Sequence, residues 1–220
     1  MKITKYPQSC VLIELNNKKI LIDPGKYTYN EEFKPDEWKD IDILLLTHGH
    51  KDHCLPEAVK IIYKNNKPKI FGSKWVGEIL KETKIPVQTM NEGQTKKVGK
   101  ITITAVKAIH GEHPDMTTSP KETVGFLIKD KKSIYHCSDT LYFKDKPYAD
   151  VVLVPISDDW ITMGPKEAAV FVKQINPEIA IPIHYDSPGH PMDPDRFVDE
   201  MRDSYIEVRV LGDKEYFEIK

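Results

Sequence analysis

The sequence predicts an α/β protein, and three observations support this class. Short apolar runs bounded by turn residues, such as residues 41–46 and 151–155, are typical of buried strands. Two segments with proline in their first turn, residues 56–64 and 165–174, are typical of helices. These segments alternate along the chain, and strands that alternate with helices pair in parallel and carry the helices on their sheet. We therefore expect strands and helices that pack together, with polar residues where the strands end.

The first half of the chain opens with a predicted meander of three strands. Asp23-Pro24-Gly25 stops the third strand, because proline fixes one backbone dihedral and glycine accepts a positive φ. Residues 26–40 are polar and aromatic and are predicted to form a loop. The predicted elements of this half are strands at 3–6, 10–15, 19–22, 41–46 and 69–71, and helices at 56–64 and 74–82.

The second half repeats this order, because a block of strands again precedes alternating strands and helices. The turns at Gly99-Lys100 and at residues 129–132 predict antiparallel hairpins. A last hairpin is predicted over residues 206–219, around Gly212-Asp213. The other predicted elements are strands at 95–98, 101–107, 124–129, 133–137, 151–155 and 178–183, and helices at 165–174 and 194–202.

Composition limits the classes of function. The 220 residues suffice for one domain with a sizeable core, spanning 1–220. The formal net charge of -2, from 32 basic and 34 acidic residues, gives no general attraction to nucleic acid or to an anionic membrane. Three cysteines, with no apolar leader or bilayer-length apolar run, predict a cytoplasmic protein without membrane insertion. We expect a small-molecule substrate, and association into a homo-oligomer stays open.

The strongest local signal is H-G-H-K-D-H at residues 48–53, directly after a predicted buried strand. His48, His50, Asp52 and His53 offer imidazole nitrogens and a carboxylate, which are ligands that zinc accepts. Side chains repeat every two residues in an extended segment, so His48 and His50 would point to the same side. Asp52 and His53, beyond the turn, can then face a second ion. The plainer alternative is a histidine-rich surface loop that binds metal loosely or not at all.

Three more candidate ligands follow predicted strands. These are His110 in A-I-H-G, Asp139 in H-C-S-D-T and His184 in I-P-I-H-Y-D. Each alone has a structural explanation, since a loop histidine is commonly only hydrogen bonded and Ser-Asp-Thr is a common turn or helix cap. Their shared position at strand ends, after the histidine-rich segment, favours a metal centre built from distant parts of the chain.

The pattern H-x-H-x-D-H after an apolar strand resembles the metallo-beta-lactamase-fold hydrolases. L-I-D-P-G, M-G-P-K-E-A-A and I-P-I-H-Y-D are similar to the short, broadly specific branch that includes ascorbate-6-phosphate lactonase and N-acyl-phosphatidylethanolamine phospholipase D. The resemblance implies a four-layer αβ/βα sandwich and two metal ions. It implies that Asp139 bridges both ions and that Asp23 braces the histidine-rich loop by accepting hydrogen bonds from it, without binding a metal itself. The implied ligands of the first ion are His48, His50 and His110, and those of the second are Asp52, His53 and His184.

A dinuclear centre predicts the chemistry. Two divalent ions lower the pKa of a bridging water, so a metal-bound hydroxide can attack an ester, lactone, amide or phosphoester bond. Zinc is the expected metal, with manganese or iron as alternatives, and Asp52 is the candidate proton shuttle. The alternative functions are an iron redox module and a metal sensor without catalysis.

Four further residues are candidates for substrate contact because they lie beside the assigned ligands or in a neighbouring loop. The amino end of the helix that begins at Pro165 is a candidate for attracting an anionic group. The four substrate candidates are His113, Trp160, Tyr185 and His190.

Overall fold

The computed structural model describes residues 1–113 and 119–219. Within these residues the chain forms two compact units. The first comprises residues 1–91 together with 212–219, and the second comprises residues 92–211. No helix in the described residues is both long and apolar enough to cross a bilayer.

The first unit begins with a meander and continues with alternating strands and helices. The strand β4 (Ile43–Leu46) is buried at every position, as its unbroken apolar sequence predicts. Helix α1 (Pro56–Asn66) has Pro56 in its first turn and is followed by Lys67, whose φ of 51° is left-handed and ends the helix. Helix α2 is capped by Ser73, which accepts a hydrogen bond from Val76 N. The elements are β1 (Lys2–Lys5), β2 (Val11–Leu15), β3 (Lys18–Ile22), β4 (Ile43–Leu46), α1 (Pro56–Asn66), β5 (Lys69–Gly72), α2 (Lys74–Leu80) and β6 (Val87–Thr89).

The second unit repeats the same plan. Its elements are β7 (Thr95–Val98), β8 (Ile101–Lys107), β9 (Val124–Lys129), β10 (Ser133–His136), β11 (Val151–Pro155), α3 (Pro165–Ile175), β12 (Ile179–Ile183), β13 (Asp186–Ser187), β14 (His190–Pro191), α4 (Asp195–Met201) and β15 (Glu207–Val208). In its described residues the main sheet has the order β15-β12-β11-β10-β9-β8-β7. The four strands from β7 to β10 pair antiparallel, and β10, β11, β12 and β15 pair in parallel. Tyr135, Phe171 and Phe197 lie in its apolar core.

The last strand, β16 (Tyr216–Glu218), returns to the first unit and pairs antiparallel with β1. The described sheet of that unit has the order β16-β1-β2-β3-β4-β5-β6. From β16 to β3 the pairing is antiparallel, and from β3 to β6 it is parallel, as in the second unit. The return is fixed by Lys5, only 1% exposed, whose Nζ lies 3.0 Å from Asp213 Oδ1.

Most predicted elements occur with ends shifted by one or two residues, but the last hairpin is wrong and several short elements were not predicted, β13 and β14 among them. The predicted hairpin over 206–219 is wrong, because β15 pairs with β12 in one sheet and β16 with β1 in the other. The predicted loop after β3 contains a short 3-10 helix, Lys26–Thr28. Strand β6 was not predicted, since its sequence V-Q-T is short and mostly exposed.

Candidate metal centre

In the first unit, four potential ligands follow β4 and form what we call the first donor cluster: His48, His50, Asp52 and His53. The ring centroids of His48 and His53 lie 4.1 Å apart, and those of His48 and His50 lie 5.0 Å apart. Asp52 Oδ2 lies 3.9 Å from His53 Nε2. His50 O accepts hydrogen bonds from the backbone N–H groups of His53 and Cys54, which closes the turn that brings these side chains together.

Asp23 holds the first donor cluster in place through hydrogen bonds. Its carboxylate is fully buried and accepts hydrogen bonds from Thr47 N at 2.8 Å and Thr47 Oγ1 at 2.6 Å. It also lies 2.9 Å from His53 Nδ1. When a carboxylate accepts a hydrogen bond from Nδ1–H, the Nε2 lone pair of the same ring stays available to a metal. The parallel pairing of β3 and β4 explains the contact, because their carboxyl ends lie at one edge and Asp23 N donates to Leu45 O.

Two close contacts fix the backbone of the first donor cluster. A Cβ on Gly25 would lie 1.8 Å from Asp52 O, so only glycine fits where the chain after β3 meets this turn. A Cβ on Gly49 would lie 2.7 Å from the Trp75 ring. Trp75 is 3% exposed, and its ring centroid lies 4.8 Å from that of His50 in an edge-on arrangement.

The sequence analysis missed Trp75 as part of this environment. The available signal was its position at the start of α2, directly after β5, which pairs in parallel with β4. Parallel neighbours end at the same edge of a sheet, so the residues after β5 and β4 are brought together. Trp75 and Gly49 therefore form a matched pair that packs the histidine-bearing loop against α2.

Cys54 directly follows the first donor cluster. Burial raises the pKa of its thiol, and the negative charge of Asp23 raises it further. The group that acts as a cysteine nucleophile is the thiolate, which a raised pKa disfavours at neutral pH. The protein environment therefore does not activate Cys54 for nucleophilic chemistry.

In the second unit, three potential ligands form the second donor cluster: His110, Asp139 and His184. Asp139 Oδ2 lies 3.5 Å from His110 Nε2 and 3.4 Å from His184 Nε2. The three side chains are between 2% and 4% exposed. His110 Nδ1 lies 2.6 Å from Gly111 O, a contact that directs Nε2 to the same side as the carboxylate.

Hydrogen bonds between loops hold the second donor cluster in place. Leu141 N donates to Ile109 O at 2.7 Å, and Ile109 N donates to Thr140 Oγ1 at 2.9 Å. Met163 N donates to Thr140 O at 3.0 Å, which adds the loop after β11 to the same set. His110 and Asp139 are therefore carried by loops that are bonded to each other.

The candidate substrate residues have different environments. His113 and His190 have ring centroids 6.1 Å apart. The Tyr185 ring packs against the core of the second unit, and its hydroxyl donates to Leu211 O, contacts that serve the packing of this unit. Trp160 is 70% exposed and has a φ of 68°.

The amino end of α3 differs from the anion site expected there. A Cβ on its N-cap residue Gly164 would lie 2.6 Å from Asp158 Oδ1. The chain's own carboxylate therefore stands at this helix end, where a negative charge interacts favourably with the helix dipole. An external anion would have to approach that charge.

The chemistry of both donor clusters suits a divalent ion. Together they supply five imidazoles and two carboxylates, on loops that follow strands. Imidazole nitrogen and carboxylate oxygen are the ligands of zinc, manganese and iron in proteins. Asp23 and Asp139 also follow corresponding strands, since β3 and β10 each begin the parallel part of their sheet. Each unit thus places a buried carboxylate against histidine side chains at the same point of its topology.

Comparison with known proteins identifies the family. A family model described as a beta-lactamase superfamily domain matches residues 2–184. A UPF0173 metal-dependent hydrolase of Pyrococcus abyssi is 38% identical over 82% of this chain and 84% of the relative. Another, of Archaeoglobus fulgidus, is 34% identical over 96% of this chain and 95% of the relative. Among solved structures, the metallo hydrolase Igni18 of Ignicoccus hospitalis is 25% identical, with a TM-score of 0.82 covering 100% of this chain and 99% of that protein.

These similarities cover nearly the whole chain and agree with the structure of each unit. They confirm the predicted α/β class and the metallo-beta-lactamase fold. A metal-dependent enzyme requires side chains of the kind that the two donor clusters contain. The chain belongs to the beta-lactamase superfamily, and it is a metal-dependent hydrolase.

Proposed function

We propose that the two donor clusters bind one pair of divalent ions and that the protein hydrolyses an ester, lactone, amide or phosphoester bond in a small molecule. In this proposal the two compact units act as one catalytic domain. The observation that carries it is the second donor cluster, in which one buried carboxylate oxygen lies within 3.5 Å of imidazole nitrogens from two separate loops. Such a carboxylate could serve both ions, whose other ligands would be five histidines and Asp52.

The ligands divide into two sets. His48, His50 and His110 would hold one ion, Asp52, His53 and His184 the other, and Asp139 both. Zinc is the expected metal, and manganese or iron would fit the same ligands. When bound, the ions would supply an activated water at neutral pH and polarise the bond to be cleaved.

The remaining steps depend on the chain's own residues. Asp52 has a side chain that is 28% exposed, so it can exchange protons with solvent and is our candidate for the proton shuttle. Asp23 keeps the proton of His53 on Nδ1 and so orients that ring. Cys54 is not needed as a nucleophile, in agreement with its protonated thiol.

The test compares Asp139→Asn with Asp203→Asn, an exposed carboxylate of the same unit. Both proteins are loaded with zinc or manganese, their metal content is measured, and hydrolysis of p-nitrophenyl phosphodiesters, carboxylic esters and lactones is assayed. We expect Asp139→Asn to lower kcat/KM by more than about 100-fold and to lose bound metal, because a ligand is removed. Asp203→Asn should match the unchanged protein. Full activity of Asp139→Asn and His48→Ala, with circular dichroism unchanged, would refute the proposal.

The same metal analysis tests the alternatives. Iron with visible charge-transfer bands, together with no hydrolysis of any probe, would favour a redox module. Firmly bound zinc without hydrolysis would favour a sensor. We also propose a cytoplasmic location, because the sequence has an odd number of cysteines, three, and none is spaced as a Cys-x-x-Cys site.

A further inference from the structure

We propose that Trp160 binds the part of the substrate next to the cleaved bond, and that this part is an uncharged aryl or alkyl group. This inference rests on the proposed hydrolytic function and adds the substrate class. Trp160 is 70% exposed, whereas Trp38 and Trp75 are 6% and 3% exposed. All three tryptophans of the sequence lie within the described residues.

The backbone conformation of Trp160 is unfavourable for its residue type. Its φ is 68°, in the left-handed region that large side chains rarely adopt. An observed outlier of this kind is held in place by its surroundings and is commonly found at a ligand site. The exposure of the indole also indicates a binding site, because a large aromatic ring is normally buried and an exposed one is available to a ligand.

A buried polar set beneath the loop maintains this conformation. The Asp159 carboxylate, 5% exposed, accepts a hydrogen bond from Ser157 Oγ at 2.9 Å. It also accepts from Ile161 N at 3.3 Å and Thr162 N at 3.4 Å. The buried carboxylate of Asp159 thus fixes the residues on both sides of Trp160, so the exposed indole is carried by a preorganised loop.

The loop is attached directly to the residues that carry the second donor cluster. Gly111 N, next to His110 in the chain, donates to Ile161 O at 2.9 Å. A Cβ on Gly111 would lie 1.8 Å from Trp160 O, so the two backbones touch at this point. A substrate held at His110 would therefore meet the loop of Trp160 beside its reacting bond.

Charge near Trp160 restricts the substrate class. Asp158, two residues earlier, is exposed and also has a left-handed φ, of 57°. Its carboxylate stands against Gly164, at the amino end of α3. A phosphate or carboxylate group beside Trp160 would be repelled by this charge, whereas a neutral ring or acyl chain would not. Neutral aryl or alkyl esters and alkyl lactones fit this surface better than phosphorylated sugars do.

The kinetic test uses the metal-loaded protein with Trp160→Ala, Trp160→Phe and the control Tyr205→Ala. Tyr205 is a fully exposed aromatic residue of the same unit. The probes are p-nitrophenyl acetate, butyrate and octanoate, with the corresponding alkyl lactones. We expect Trp160→Ala to lower kcat/KM for the octanoyl ester by roughly 10-fold more than for the acetyl ester, mainly through KM, because a ring–chain contact is lost. Trp160→Phe should retain most of this preference, and Tyr205→Ala all of it.

A binding measurement gives a second readout that does not depend on turnover. Trp160 is the exposed tryptophan, so acrylamide quenching of the metal-loaded protein should report mainly on it. Octanamide, a neutral and slowly reacting probe, should protect this emission in the unchanged protein and have no such effect in Trp160→Phe.

The outcomes separate the inference from the proposed function. Equal loss on short and long esters in Trp160→Ala, or no protection by octanamide, overturns the role of Trp160 while leaving hydrolysis intact. Absence of metal-dependent hydrolysis with every probe overturns the proposed function itself. A preference for anionic over neutral substrates of equal size would overturn the proposed substrate class.

Discussion

The substitution Asp23→Asn distinguishes the contribution of this carboxylate to stability from its contribution to metal binding. The carboxylate is fully buried and has three contacts with donors, on Thr47 N, Thr47 Oγ1 and His53 Nδ1. The amide has nearly the same shape, but only its oxygen can accept a hydrogen bond. We expect that oxygen to keep Thr47 N, while the amide nitrogen faces Thr47 Oγ1 and His53.

The magnitude follows from the loss of two contacts to a charged acceptor, because the amide nitrogen can donate to Thr47 Oγ1 but cannot accept from Thr47 Oγ1 or from His53 Nδ1. A hydrogen bond to a charged group contributes about 1.5–3 kcal/mol, so two give at most about 3–6 kcal/mol. A neutral amide is also less costly to bury than a carboxylate, which reduces the net loss of unfolding free energy to about 2–3 kcal/mol. Metal binding should also weaken, by an amount that the loss of stability does not give. His53 loses the acceptor that keeps its proton on Nδ1, so we expect metal affinity to fall by about 10- to 100-fold.

The assay measures both quantities. Urea unfolding of chelator-treated protein gives the change in stability, and calorimetric titration with zinc gives the change in affinity. The control is Asp42→Asn, because Asp42 lies just before β4, at the strand end opposite the donors, and also accepts two hydrogen bonds. It should lose about 1 kcal/mol of stability and keep the metal affinity. If Asp23→Asn binds zinc as tightly as the unchanged protein does, the proposed orientation of His53 is wrong.

Three further variants test the environment of the site and the second unit. Trp75→Ala removes a buried ring and should cost about 3–5 kcal/mol and weaken metal binding, whereas Trp75→Phe should restore most of the affinity in the same titration. Gly25→Ala forces a Cβ against Asp52 O and should cost about 3 kcal/mol or more, measured by thermal unfolding. Burial alone would raise the pKa of Asp150, but hydrogen bonds from Ser133 lower it. Asp150→Asn should therefore cost about 1–2 kcal/mol at pH 7, and the difference should shrink as pH falls below the usual range of an Asp carboxyl and through this lowered pKa. A difference that grows in acid would contradict this assignment.

Sequence reasoning predicted the elements that have a strong local signal. Strands β8, β9 and β11 occur within the predicted bounds, because apolar alternation or a nearly unbroken apolar run marks each of them. Strand β7, whose sequence T-K-K-V has no such pattern, also has the predicted bounds, because the turn at Gly99-Lys100 pairs it with β8. The order of antiparallel and then parallel strands also follows from short turns and intervening helices. The predicted pairing of the last two strands was wrong, because a glycine turn between two short strands predicts a hairpin. Which sheet a strand joins depends instead on the free edge it meets, and β16 meets β1.

The candidate ligands could be selected from the sequence because they share one position, the end of a strand. The contacts of Trp75 and Asp158 could not, since each depends on how a neighbouring element is placed. The position of Trp75 directly after a strand indicates the sheet edge at which it lies, but its contact with Gly49 follows only from how α2 packs. Asp158 changes the expected anion site because a left-handed backbone turns its carboxylate toward Gly164.

The pairing of β16 with β1 has a consequence for biosynthesis. A ribosome releases residues 212–219 only after the entire second unit, yet these residues cover the edge of the sheet that begins the first unit. Until then, the backbone N–H and C=O groups of β1 on that side lack their strand partner, and Lys5 lacks Asp213. Truncating the carboxyl terminus before Gly212 should therefore promote edge-to-edge aggregation of the first unit, although the removed segment carries no candidate metal ligand.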